Sequence, residues 1–99
     1  MKVLISPGYG AGWSTWNCRE MAVDKDLVNL FENGCTEEEM LDLCNKKGYR
    51  PLIGSPYMGG FDDLKVVEVP AGSYFKIIEY DGSESVEIFD SSEWFLAEE

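Results

Sequence analysis

Histidine is absent from all 99 residues. Without imidazole, Ser-His-Asp and Cys-His catalysis are excluded on composition alone. Cysteine is scarce and odd in number, with Cys18, Cys35 and Cys44 forming no CxxC pair, so a zinc site is not expected. Met1 and Lys2 lead straight into a strand-like run with no signal-peptide pattern before the cysteines, which points to a reducing cytoplasm. No apolar run approaches the roughly 20 residues that a membrane-crossing helix needs. Basic residues are also few: 8 Lys and Arg against 19 Asp and Glu give a net charge of −11. Such a field repels nucleic acid and anionic membranes and favours cationic partners.

What the chain does contain is a core. With 44% hydrophobic and 13% aromatic residues, a chain of this length builds one domain, residues 1–99, without covalent staples. The organising stretch is SYFKIIEYDGSESVEIF, residues 73–89. An Asp-Gly pair between two β-rich runs signals a hairpin, because the tight turn needs residues that tolerate positive φ. A two-residue loop at Asp81 and Gly82 sets Tyr80 opposite Ser83, Phe75 opposite Ile88, Ile77 opposite Val86 and Lys76 opposite Glu87. The same register opposes Glu79 and Glu84, a like-charge pair that costs stability unless a cation or solvent separates the carboxylates.

Before the hairpin, Lys2 to Ser6 is short, apolar and β-branched, as a buried strand requires, and Pro7-Gly8 ends it. The loop PGYGAGWSTWN follows. Its glycines admit two readings: a cradle whose bare N–H groups approach an anion, or a structural loop in which the tryptophans pack. The spacing matches neither G-x-G-x-x-G nor a Gly-Lys-Ser/Thr loop. Asp24 to Asn33 reads as a helix with Val23, Leu27, Leu30 and Phe31 on one stripe and Gly34 as its stop. Thr36 and Glu39 form a capping box for a second helix, whose apolar stripe is Met40, Leu41 and Cys44 and whose stop is Gly48. These two helices look like the start of a helix-turn-helix unit, yet three glutamates open the second and no basic recognition helix follows, so a plain αα-hairpin is expected. A loop holds Tyr49, Tyr57, Met58 and Phe61. A strand around Lys65 to Val69, a turn at Pro70-Ala71-Gly72 and a terminal segment with Trp94 or Phe95 docked on the core complete the chain. The fold class expected is α+β: a small, mostly antiparallel sheet of about four strands with the αα-hairpin packed on one face.

The chemistry available points to binding. Asp62-Asp63 and Glu79 with Glu84 are the only paired carboxylates of note, and neither matches a metal spacing or a nucleophile-base-orienter pattern, so no enzyme, metal or cofactor is expected. One binding surface uses Glu79, Tyr80, Asp81, Glu84, Glu87, Asp90 and Glu93, a run of carboxylates that imitates phosphate spacing, with Tyr80 as an aromatic anchor. From Ile77 to Glu99 there are eight acidic residues and no basic one. The alternative is a small, nucleotide-like ligand held at the glycine-rich loop by Tyr9, Gly10, Gly12, Trp13, Trp16 and Tyr57.

The segments ISPGYGAGWSTWN, YMGGFDDLKVVEVPAGSYFKI and EYDGSESVEIFD resemble small uncharacterised acidic proteins encoded by phages and integrated elements of Gram-positive bacteria. The similarity runs over nearly the whole chain and brings no catalytic motif and no residue roles. It implies an inhibitor of host defence in the host cytoplasm, such as an anti-CRISPR protein that imitates DNA. The implied partner is a basic host protein such as an RNA-guided nuclease, with no direct contact to nucleic acid or membrane.

Overall fold

The computed structural model describes residues 1–51, 54 and 56–89. Four strands and two helices follow in the order β1 (Lys2–Ile5), α1 (Lys25–Glu32), α2 (Glu37–Lys47), β2 (Lys65–Glu68), β3 (Tyr74–Tyr80) and β4 (Ser83–Phe89). Single 3-10 turns at Ser14–Trp16, Arg19–Ala22 and Phe61–Asp63 shape the connections. The class is α+β. The four strands are antiparallel and form two two-stranded ladders, β1 with β2 and β3 with β4.

β1 explains its unbroken apolar sequence. Successive strand side chains point to opposite faces, and both faces of this strand are covered. Leu4 joins a core with Trp13, Met21, Leu27, Met40 and Cys44 on the helical side. Val3 and Ile5 point the other way, to Ala22 and Val69, where Phe75, Ile77 and Val86 of the hairpin close over them. The register of β2 keeps these faces, pairing Val66 with Leu4 and Val67 with Val3. The helices lie on one side of this ladder and the hairpin on the other.

Local chemistry sets the helix limits. Asp24 caps α1, its Oδ1 accepting the N–H groups of Asp26 at 2.9 Å and Leu27 at 3.1 Å. Thr36 caps α2 through a complete capping box: its hydroxyl accepts from the Glu39 N–H at 3.1 Å, and the Glu39 carboxylate accepts from the Thr36 N–H at 2.9 Å. Gly48 ends α2 in the left-handed region at φ 75°, a conformation that costs glycine nothing. Between the helices, Tyr49 donates its hydroxyl to Asp24 Oδ2 at 2.5 Å, and the Lys47 ammonium stands 3.2 Å from the same oxygen. Burial alone would push the Asp24 carboxyl up, but these bonds outweigh it and hold the group below its usual range. The same cluster raises Tyr49, chiefly through its bond to Asp24, and raises Lys47, chiefly through its bond to Asp26.

The hairpin adopts the register that a two-residue Asp-Gly loop dictates, from Tyr74 opposite Phe89 to Tyr80 opposite Ser83. Asp81 at φ 50° and Gly82 at φ 85° supply the two positive angles of the turn. Trp94 and Phe95 lie outside the described residues.

Candidate functional site

The decisive residue is Glu84, which is only 1% exposed. The register puts it on the inward face with Val86, and its carboxylate reaches into the glycine-rich loop. There Oε1 accepts the Ser6 N–H at 2.9 Å, while Oε2 accepts the N–H groups of Trp13 at 2.9 Å and Thr15 at 3.0 Å and, in a short contact, the Thr15 hydroxyl. The Glu84 backbone N–H donates to the Ser6 carbonyl at 2.9 Å. A buried carboxylate is costly unless hydrogen bonds replace its water, and here four donors do so. This side chain joins the two ladders: at Ser6 it stands where the carbonyl of a neighbouring strand would be.

The loop therefore is an anion cradle, and the anion it holds is the chain's own. Around this centre the hairpin tip is fastened by backbone. Gly10 N–H donates to the Asp81 carbonyl at 2.7 Å, and the Ser83 hydroxyl donates to the Pro7 carbonyl at 2.7 Å. The fit leaves no room at Gly82, where a Cβ would stand 2.4 Å from the Ala11 nitrogen. Gly60 packs as closely, its absent Cβ lying 2.5 Å from the Gly12 carbonyl oxygen.

This geometry corrects the expected acidic surface. Glu84 is not part of it, and the expected repulsion with Glu79 is answered from within the protein. The Glu79 carboxylate turns instead to the Gly82 N–H at 2.7 Å. Glu79, Asp81 and Glu87 are exposed, and Tyr80 at the turn is 76% exposed. On the outward face, Tyr74, Lys76, Ile78 and Tyr80 of β3 oppose Phe89, Glu87, Ser85 and Ser83 of β4, and the rings of Tyr74 and Phe89 stack at 6.2 Å. Tyr74 and Ile78 are exposed as well, an apolar component that charge counting missed. Asp90 and Glu93 lie outside the described residues.

The residues expected to enclose a ligand do not form one chamber. Trp13 is fully buried in the helical core, and Tyr9 is 75% exposed. Gly10 stands open, whereas Gly12 lies against the Trp16 ring. Trp16 and Tyr57 do meet, with ring centroids 5.6 Å apart, and Asn17 explains why. Its side-chain amide donates to the carbonyls of Trp13 and Tyr57 at 2.8 and 2.9 Å, and its oxygen accepts the Tyr57 N–H at 2.6 Å. Two of the loop's N–H groups, those of Trp13 and Thr15, are already bonded to Glu84, and that of Gly10 to the Asp81 carbonyl.

Other reactive groups are subdued. Among the described residues no set of three or more Cys, Asp or Glu side chains is placed to hold a metal ion. The three thiols are free, and burial pushes that of Cys44 up to about 11. No helix among the described residues is long and apolar enough to cross a membrane. Family models, curated proteins and solved structures contain no match to this chain.

Proposed function

We propose that this chain is a non-enzymatic binding protein that presents the outward face and tip of its hairpin to a basic protein surface, one shaped to hold nucleic acid. The observation that carries the reading is the exposure of Tyr80 beside Glu79 and Asp81 on a tip held to the body by hydrogen bonds. An exposed tyrosine ordinarily gains little from water, and at an interface it supplies a large anchor at low entropic cost. The net charge of −11 adds long-range attraction to a cationic groove and speeds encounter. A phage-type inhibitor of a host defence nuclease fits this chemistry: carboxylates occupy the positions of phosphates while the tyrosines fill the groove.

The test is competition. A purified RNA-guided nuclease of a Gram-positive host is loaded with labelled duplex DNA and titrated with this protein. Displacement is expected at low salt, weakening as ionic strength rises. Tyr80→Ala combined with Glu87→Gln should weaken displacement by at least tenfold, on the order of a single hot-spot loss of about 2 kcal/mol, with little change in the urea midpoint. Undiminished competition by that variant, or no displacement at any salt, contradicts the reading. Glu84 is unsuitable for such a test, because changing it alters the fold's own bonding.

A further inference from the structure

A cleft of about 470 Å³ lies between the segment containing the first two 3-10 turns and strand β3. We propose that it is a binding site for a small aromatic anion, a flat apolar body carrying a sulfonate, carboxylate or phosphate group. It takes Ser14 and Thr15 from the end of the glycine-rich loop but none of that loop's glycines, and none of its lining comes from the hairpin tip.

Charge is the first argument. Although acidic residues outnumber basic ones by more than two to one over the chain, none of the eight residues lining this cleft is acidic, and two are cations. Arg19 comes from one wall and Lys76 from the other. Neither takes part in an ion pair among the described residues, unlike Lys2 with Glu32 and Lys47 with Asp24 and Asp26. Glu20 adjoins Arg19 and Glu87 faces Lys76 across the hairpin, yet two cations with no direct ion pair on a protein of net charge −11 mark a place where an anion meets local attraction against a repulsive whole.

Hydrogen-bond supply is the second. Phe75, Lys76 and Ile77 line the cleft in succession, so it runs along an edge of β3. In an antiparallel hairpin closed at Tyr80 and Ser83, hydrogen-bonded and non-hydrogen-bonded pairs alternate. Phe75 and Ile77 fall in the second kind, so their N–H and C=O groups face away from β4. Neither residue makes a backbone bond to another part of the described chain. Ser14 and Thr15 line the opposite wall, with the Thr15 hydroxyl already donated to Glu84. The cleft thus combines donors, cations and the apolar side chains of Phe75 and Ile77, in a volume within the usual range for small-molecule sites.

Preorganisation is the third. Thr15 is bound through its N–H and hydroxyl to Glu84, and the hairpin wall is fixed by the same carboxylate. A ligand entering here would have little backbone to order, which favours affinity.

The test uses 8-anilinonaphthalene-1-sulfonate as probe, followed by fluorescence and by amide chemical-shift mapping on the folded full chain. Saturable one-to-one binding is expected, with shifts concentrated in residues 14–23 and 75–77. Arg19→Gln and Lys76→Gln should each weaken it by roughly fivefold to tenfold, as loss of one charge-assisted contact does, whereas Lys65→Gln outside the cleft should not. Uncharged N-phenyl-1-naphthylamine should bind about tenfold more weakly, and inorganic sulfate alone should not compete at millimolar concentration. Unaltered midpoints in urea confirm that the variants are folded. Equal binding of the charged and uncharged probes, no effect of either cation change, shifts elsewhere or no binding at all would overturn the proposal.

Discussion

Glu84 shows how one residue's role depends on a partner far away in sequence. Its donors Ser6, Trp13 and Thr15 are 78, 71 and 69 residues from it, so no local pattern reveals them. A signal was nevertheless present. The hairpin register puts Glu84 on the same face as Phe75, Ile77 and Val86, and a carboxylate forced inward needs donors. The glycine-rich loop was a stretch whose bare backbone N–H groups could serve it. The two features were legible separately, and their union required the fold. Cys44 presents the opposite case, since helical spacing alone placed it in the core. Burial raises its thiol to about 11, so at pH 8 it should react with iodoacetamide far more slowly than Cys18 and Cys35, which are partly exposed. Mass spectrometry of briefly alkylated native protein checks this; early labelling of Cys44 would mean that the helical core opens readily.

At the scale of elements, the capping box, the Gly48 stop and the hairpin register were all readable because each is fixed within a few residues. The pairing of ladders was not. Four strands suggested one sheet, whereas Glu84 inserts a side chain where a further backbone pair would form, and the strands divide into two ladders. This docking is measurable through two glycines of equal φ, 85° in each. A Cβ at Gly72 meets nothing within 4 Å, but one at Gly82 meets the loop backbone at 2.4 Å. Gly72→Ala should cost about 1 kcal/mol, the conformational part alone, and Gly82→Ala about 3 kcal/mol. Equal losses in urea unfolding would show that the tip is not held against the loop.

Over the whole molecule, charge is segregated by structure in a way composition does not express. Among the described residues Glu84 is internal, the hairpin tip and outward face carry exposed carboxylates, and the cleft beside β3 is lined by two cations and no acidic residue. The interhelical cluster gives the stability a defined pH dependence. Asp24 is held below its ordinary value of 3.8, so the unfolded chain binds its proton first and the contribution is complete above about pH 4, then lost as pH falls through the lower folded value. Tyr49 and Lys47 are raised above 10.0 and 10.5, so their contributions are complete below those values and lost as pH rises through the higher folded ones. Asp24→Asn keeps a helix-capping side chain but removes the charge. It should lower stability by roughly 1–2 kcal/mol at pH 7 and by progressively less toward pH 3, as urea midpoints across that range would record. A loss independent of pH would assign Asp24 a purely capping role.

Two glutamates three residues apart on β4 have opposite surroundings, Glu84 bonded inside the protein and Glu87 presented to solvent. The most direct test is equilibrium urea unfolding of Glu84→Gln beside Glu87→Gln. Glu84→Gln directs an amide N–H₂ at a site built entirely of donors and should lose at least about 2 kcal/mol, whereas Glu87→Gln should stay within about 0.5 kcal/mol of the parent. Comparable stability of the two variants would contradict the internal role of Glu84 and return it to the acidic surface.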